Sequence, residues 1–77
     1  MKTILYQVIE IIRETLDDTT ISPLPQTKVV DLRGWSSLQH IRFIASVEDH
    51  FQIRFDFQEM LGWETIQDLV NLLEKKI

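Results

Sequence analysis

Residues 34–39 read Gly34-Trp35-Ser36-Ser37-Leu38-Gln39, and they mark the point where a long irregular segment gives way to a helix. With Ser36 as the N-cap, Gln39 takes the third helical position, which predicts a capping box in which each side chain satisfies a backbone N–H. The hydroxyl of Ser37 is then left without a capping role. The helix is predicted from Ser37 to about His50, with an inner stripe of Leu38, Ile41, Ile44, Ala45, Val47 and Phe51 and an outer face of Gln39, Arg42, Ser46 and Asp49.

The chain before this point divides into a helix and a long connection. From Thr3 to Asp18 apolar residues recur every three or four positions, which predicts an amphipathic helix. Because the acidic residues Asp17 and Asp18 oppose the helix dipole at that end, we expect the helix to fray near Leu16. Residues 19–35 contain both prolines and show neither helical nor strand periodicity, which predicts an ordered connection packed onto the core.

The segment after the second helix gives a conflicting signal. Phe51–Phe57 alternates apolar and polar residues, which is typical of a strand, and Thr27–Val30 is its one conceivable partner. A lone two-stranded ribbon is marginal in water, so we interpret the segment as extended chain laid across a helical bundle.

Two further helices complete the predicted fold. Asp56 opens a short helical turn through Leu61, and Gly62 ends it. The segment Thr65–Asp68 resembles a weaker capping box and begins a last helix that runs to about Lys76 and buries Ile66, Leu69, Val70, Leu72 and Leu73. Three long helices, one short helix and a long first loop predict an all-α fold, an irregular four-helix bundle.

The composition limits the possible functions. The chain has 77 residues, which we interpret as a single domain over residues 1–77, and its net charge of −4 gives no general attraction to nucleic acid or an anionic membrane. It has no cysteine, which excludes disulfides, thiolate zinc sites and thiol redox chemistry of the chain itself. No apolar run approaches the roughly 20 residues that span a bilayer, and Met1–Thr3 leads into a charged amphipathic segment instead of a signal peptide. We expect a cytoplasmic protein.

A longer stretch around Ser37 resembles a known family. It reads Asp31-Leu32-Arg33-Gly34-Trp35-Ser36-Ser37-Leu38, and Glu48, Phe51 and Ile53 follow with the spacing Glu-x-x-Phe-x-Ile. This pattern resembles acyl carrier proteins, whose signature is Asp-Ser-Leu at the start of the second helix. The resemblance extends over nearly the whole chain.

The resemblance implies a carrier and not an enzyme. Ser37 matches the serine that receives 4'-phosphopantetheine from coenzyme A through a phosphopantetheinyl transferase, and the thiol of that arm carries acyl groups as thioesters between acyl-loading and acyl-processing enzymes. The protein is expected to act as a monomer whose partners contact Trp35, Ser36, Leu38, Gln39, Arg42, Glu48 and Asp49. Candidates for an acyl pocket, which are first of all core residues, are Ile41, Ile44, Val47, Ile53, Met60 and Ile66.

Two residues depart from the family pattern. Ser36 stands where the family usually has Asp, which removes a carboxylate beside the attachment site, so the resemblance by itself does not imply efficient priming by a general transferase. The predicted outer face of the second helix carries Arg42 and little acid, whereas typical acyl carriers present acid to basic partners. Since rim charges set encounter rate and partner choice, Arg42 indicates a dedicated partner, unless it only pairs with a neighbouring acid.

Other interpretations stay open from the sequence. The cargo could be an aminoacyl or aryl group, as in nonribosomal peptide assembly, or the chain could be an unmodified protein-interaction module in which the paired serines only cap a helix. DNA binding is disfavoured by the negative charge. A catalytic pair of Ser37 and His40 lacks an orienting acid, and His50 is expected to complement a helix C-terminus and not to bind metal.

Overall fold

The computed structural model describes residues 3–77. Met1 and Lys2, on which part of the prediction against a signal peptide rests, lie outside the described residues. The described chain is helical, which confirms the predicted all-α class with three long helices and one short helix. The elements are α1 (Ile4–Leu16), a 3₁₀ turn (Val29–Asp31), α2 (Ser37–Phe51), α3 (Phe57–Leu61) and α4 (Ile66–Lys76).

Helix α1 ends in a defined cap, so the predicted fraying is wrong. Asp17 adopts the left-handed conformation with φ of 51°. In this geometry the N–H of Asp17 donates to the carbonyl of Glu14 at 3.1 Å, and the N–H of Asp18 donates to the carbonyl of Arg13 at 3.0 Å. These two bonds satisfy carbonyls that an open helix end would leave exposed, and they outweigh the unfavourable position of the acidic side chains.

The long connection is held in place by hydrogen bonds to α1 and α4. The Nε of Arg13 donates to the carbonyl of Ile21 at 2.8 Å, which ties the start of the connection to α1. The N–H of Ile66 donates to the carbonyl of Thr27 at 3.0 Å, which ties its middle to the start of α4. Val29, in the 3₁₀ turn, is buried in the core. The connection therefore delivers the residues before α2 in a fixed position.

The segment Phe51–Phe57 forms no strand, and within residues 3–77 the one β-bridge joins Lys28 to Thr65. Phe51 ends α2, Gln52 is left-handed and Phe57 begins α3, so the interpretation as extended chain applies only to residues 53–56. Phe55 is buried, and its N–H donates to the carboxylate of Glu48 at 2.8 Å. The N–H of Ile53 also donates to the carbonyl of Glu48 at 3.1 Å, so side-chain burial and bonds to α2 replace the ladder bonds of a sheet.

The capping pattern that the sequence shows at α4 forms completely. The Thr65 hydroxyl accepts the N–H of Asp68, and the Asp68 carboxylate accepts the N–H of Thr65. Asp56 and Glu59 make the same reciprocal pair at the start of α3. Both pairs satisfy backbone donors that a helix start leaves without partners.

The inner face of α2 differs from the prediction. Three residues of the predicted inner stripe are exposed: Leu38 (58%), Ile41 (65%) and Ala45. Phe43, which is not in the predicted stripe, is fully buried. The buried stripe is Phe43, Ile44 and Val47, and the stripe is therefore turned around the helix axis from the predicted one. A phenylalanine buries more apolar area than a leucine or isoleucine, and Phe43 faces two tryptophans in the core.

Candidate functional site

The two adjacent serines at the start of α2 have different structural roles. Ser36 is the N-cap, and its Oγ accepts the N–H of Gln39 at 3.3 Å. Ser37 is exposed, and its hydroxyl makes no hydrogen bond to any residue in 3–77. The reciprocal half of the predicted capping box does not form, because the Oε1 of Gln39 is buried without a partner. The structure thus leaves the Ser37 hydroxyl available at a helix N-terminus.

The turn that leads into α2 requires a glycine for conformational reasons. Gly34 has φ of 85°, a region that residues with a Cβ rarely adopt. Space is not the constraint, because a Cβ there would meet only the Leu16 side chain, at 3.9 Å. After this turn the N–H of Trp35 donates to the carbonyl of Leu32 at 3.1 Å, which fixes the tryptophan beside the serines.

Four aromatic rings form a closed cluster behind the serines. Trp35 meets Phe43 edge-on with ring centroids 5.4 Å apart, and meets His40 edge-on at 6.0 Å. His40 stacks on Trp63 at 5.4 Å, and Trp63 lies 6.0 Å from Phe43. Such arrangements add to the stabilisation from buried area. Trp63 is buried in the core, whereas Trp35 is half-buried and reaches the surface beside Ser37.

The imidazole of His40 is part of this cluster and not of a catalytic pair. Partial burial lowers the pKa of His40 below its ordinary value, because the charged form is poorly solvated between the indole rings. His50 lies in the last turn of α2, and its Nε2 is 2.8 Å from the Oε1 of Gln7 on α1. Neither histidine belongs to a group of three or more His, Asp or Glu side chains positioned to hold a metal within residues 3–77.

A shallow groove opens next to Ser37. Its volume is about 530 Å³. Ser36 and Ser37 line part of it, and the remaining wall is mostly apolar, from Val30, Trp35, His40 and Ile41. Val30 and Ile41 are each 65% exposed, so this wall is open to solvent.

The predicted acyl-pocket residues are divided by the structure. Ile44, Val47 and Ile66 are buried in the core, and Ile53 and Met60 are half-buried against it. Ile41 lies outside the core and lines the groove beside Ser37, so its inward-facing prediction is wrong.

The predicted partner residues are divided in a similar way. Leu38, Arg42 and Asp49 are exposed on α2. Arg42 takes no part in the ion pairs seen within residues 3–77, which are Lys28–Glu64 and Lys76–Glu59. Glu48 is half-buried, and its carboxylate accepts the N–H of Phe55. Gln39 is half-buried, and Ser36 is the helix cap. Arg42 therefore has the freedom that a partner contact requires, whereas Glu48 has an internal role.

The start of α2 fits an anionic group esterified to Ser37. Its first backbone N–H groups point out of the helix without intrahelical partners, and the helix dipole places partial positive charge there. A phosphate at this position would be stabilised by both effects.

None of the helices in residues 3–77 combines the length and apolar character needed to cross a membrane.

Comparison with known proteins shows which family the chain belongs to. A family model described as phosphopantetheine attachment site matches residues 7–73. Acyl carrier protein 3 of Ralstonia nicotianae is 29% identical over 72 residues, which cover 94% of this chain and 83% of that protein. The solution structure of the holo acyl carrier protein from Geobacter metallireducens matches with a TM-score of 0.84 and 33% identity, over 94% of this chain and 83% of that one.

Proposed function

Because the chain belongs to the phosphopantetheine attachment-site family, we propose that it is an acyl carrier protein whose 4'-phosphopantetheine arm is attached to the Oγ of Ser37. It is a carrier and not an enzyme, and the covalently attached arm is its prosthetic group. When bound, this group supplies the thiol that holds an acyl group as a thioester. The chain's own residues position the arm and present it to partner enzymes.

The observation that supports Ser37 as the attachment site is the difference in hydrogen bonding between the two adjacent serines. The Oγ of Ser36 holds the N–H of Gln39, whereas the Oγ of Ser37 has no partner within residues 3–77 and faces solvent. In the priming reaction a transferase helps this oxygen attack the diphosphate of coenzyme A. A bond from Oγ to phosphorus forms, the bond to the adenosine bisphosphate leaving group breaks, and the hydroxyl proton is lost. The N-terminal end of α2 then stabilises the phosphodiester charge.

The pathway we propose is a specialised one, with acyl intermediates of fatty-acid or polyketide type. This proposal rests on the exposed face of α2, where Leu38, Ile41 and Ala45 are apolar and Arg42 is basic. Such a face complements an apolar partner surface with an acidic group better than it complements a basic patch. The small number of acidic residues on this face favours one second candidate, a carrier of aminoacyl or aryl groups. We further propose that the protein works as a single-domain monomer in the cytoplasm.

The experiment that tests the attachment site is intact mass spectrometry of three proteins. Wild type, Ser37→Ala and Ser36→Ala are incubated with coenzyme A, magnesium and a broad-specificity phosphopantetheinyl transferase. We expect wild type and Ser36→Ala to gain one phosphopantetheine and Ser37→Ala to gain none. A gain on Ser37→Ala would move the site elsewhere. No gain on any protein with several transferases would favour an unmodified interaction module.

A further inference from the structure

The groove beside Ser37 offers an apolar surface that the described chain leaves uncovered. Val30 comes from the 3₁₀ turn of the connection and Ile41 from the second turn of α2, and each is 65% exposed. The half-buried Trp35 lies with them in the wall, and Ser37 lines the same groove. A volume of about 530 Å³ is within the range of small-ligand sites.

The interior next to the serines is already filled. Phe43 is fully buried, Trp63 is 6% exposed, and their ring centroids are 6.0 Å apart. Trp35 closes on Phe43 from the side of the serines at 5.4 Å. To enter the bundle here, a chain attached to Ser37 would have to separate these rings, and protein interiors resist such loss of packing.

We propose that the arm on Ser37 folds into the groove walled by Val30, Trp35, His40 and Ile41, and rests there when no partner is bound. The proposal rests on the proposed function, and it adds a binding site on the carrier's own surface for the arm. The ligand chemistry is that of the pantoyl part of the arm, whose two geminal methyl groups lie close to the phosphate. These methyl groups match the apolar wall, and the phosphate matches the helix N-terminus.

Covalent attachment at Ser37 and the apolar lining both favour this groove over a second groove further along α2. A second groove, of about 500 Å³, begins at Ala45 and is lined by Glu48, Asp49, Gln52, Ile53 and Arg54. It starts two helical turns further along α2 and carries three charged residues, which suit methyl groups poorly. The groove beside Ser37, in contrast, is lined by the attachment residue itself. Covalent attachment raises the effective concentration of the arm there, so even weak apolar contacts populate the docked state.

Isotope-filtered NMR of the holo protein tests the proposal. The protein is isotope-labelled and the arm is not, and complete loading is first verified by mass, so a failure of priming is separated from a failure of docking. We expect nuclear Overhauser contacts from the geminal methyl groups to Val30, Trp35 and Ile41. These contacts report proximity and do not respond to the phosphate charge alone. The buried Trp63 should show none.

A matched pair of variants on α2 supplies the control. Ile41→Gln removes an apolar wall residue, and Leu38→Gln makes the same kind of change at a position that is 58% exposed and lies outside the groove lining. Both should fold, which an unchanged Trp63 indole N–H signal would verify. We expect the contacts to Val30 and Trp35 to be lost in Ile41→Gln and kept in Leu38→Gln.

Three results would overturn the proposal. Contacts from the arm to Ile44, Val47 or Ile66 would place it inside the bundle. Contacts to Ala45 or Ile53 would place it in the neighbouring groove. An absence of contacts beyond Ser37 and its chain neighbours would show that the arm stays in solvent.

Discussion

At the scale of single residues, the proposed function depends on two adjacent serines, of which Ser36 caps α2 with one hydrogen bond and Ser37 makes none within residues 3–77. The N–H of Gln39 needs an acceptor at the start of α2, and Ser36 provides it, which leaves the next hydroxyl for chemistry. The usual aspartate of the family at this position and the serine here are both good N-cap residues, so the departure keeps the helix start while removing a charge.

Stability measurements on the two serines should therefore separate capping from modification. Ser36→Ala should lower the free energy of unfolding by about 0.5–2 kcal/mol, because it removes the cap. Ser37→Ala should change it by less than about 0.5 kcal/mol, because that hydroxyl is exposed and bonded to no residue in the described chain. Urea unfolding of both apo proteins measures the difference. An equal loss in the two variants would contradict the assigned roles.

His40 should make stability depend on pH in a defined range. Burial lowers the pKa of His40 in the folded protein, so just below the ordinary value of about 6.5 the unfolded chain binds more protons. Stability is complete above that value and falls as the pH decreases towards the folded pKa. Hydrogen bonds lower the pKa of Asp18, Glu59 and Asp68, but their effect is lost only below about pH 4.

Urea unfolding of wild type and His40→Phe between pH 7.5 and 5 tests this statement. The phenyl ring keeps the stacking on Trp63 and cannot be protonated. We expect the fall in stability of wild type to be reduced in the variant. Parallel pH profiles for the two proteins would show that His40 does not contribute.

At the scale of elements, α2 shows what the sequence predicts well and what it does not. Its start, and its end to within one residue, follow from the capping serine and the apolar periodicity. The buried face does not, because Leu38, Ile41, Phe43, Ile44 and Val47 allow two overlapping stripes. Tertiary packing determines which stripe is buried, because the contacts of Phe43 with Trp35 and Trp63 place that side chain in the core. Its spacing from Val47 was the signal that could have revealed it.

Other features could be predicted because their causes are local. The capping box at Thr65 and Asp68 needs only residues three apart in the chain. The bond from Phe55 to Glu48 and the aromatic cluster could not be predicted, because they join residues whose proximity exists only after folding. For the candidate site, Ser37 was predicted from the resemblance of the surrounding residues to a known family, whereas the groove that includes Val30 required the structure.

Two isoleucines on α2 test the corrected face. Ile44→Ala should destabilise the protein by about 2–5 kcal/mol, because the side chain is 3% exposed and a cavity remains. Ile41→Ala should change stability by less than about 0.5 kcal/mol, because that side chain is 65% exposed. Both are the same substitution in one helix, so helix propensity cancels. Similar losses measured by urea unfolding would contradict the assignment.

The end of α1 allows a stabilising substitution. Asp17 is a left-handed residue with an acidic side chain at a helix C-terminus, and glycine removes both penalties. Asp17→Gly should raise the free energy of unfolding by about 0.5–1 kcal/mol. Asp18→Gly is the control and should lower it, because the Asp18 carboxylate accepts bonds from the N–H and hydroxyl of Thr20. A destabilised Asp17→Gly would show that the aspartate makes a favourable contact there.

At the scale of the whole molecule, the net charge of −4 attracts basic partners, whereas Arg42 on α2 repels a basic docking patch. A generic fatty-acid synthesis enzyme with a basic docking patch is attracted to the molecule as a whole but meets Arg42 on the docking face. The dedicated partner that we propose would contact that guanidinium with an acidic group.

Arg42→Glu should reverse this preference. We expect higher turnover of the holo variant by a generic fatty-acid synthesis enzyme, and lower turnover by the natural partner, mostly through the rate of association. Steady-state rates at low and high salt measure both effects, and the gain should shrink at high salt. Arg54→Glu, also on the surface but outside α2, is the control. Equal rates for wild type and Arg42→Glu with the generic enzyme would remove Arg42 from partner selection.

The most direct test of the central claim is to locate the modification within the holo protein. Trypsin cleaves after Arg33 and Arg42, so one peptide, residues 34–42, contains both serines. Fragment-ion mass spectrometry of that peptide separates Ser36 from Ser37. We expect phosphopantetheine on Ser37 alone. Phosphopantetheine on Ser36, or on a peptide outside residues 34–42, would contradict it.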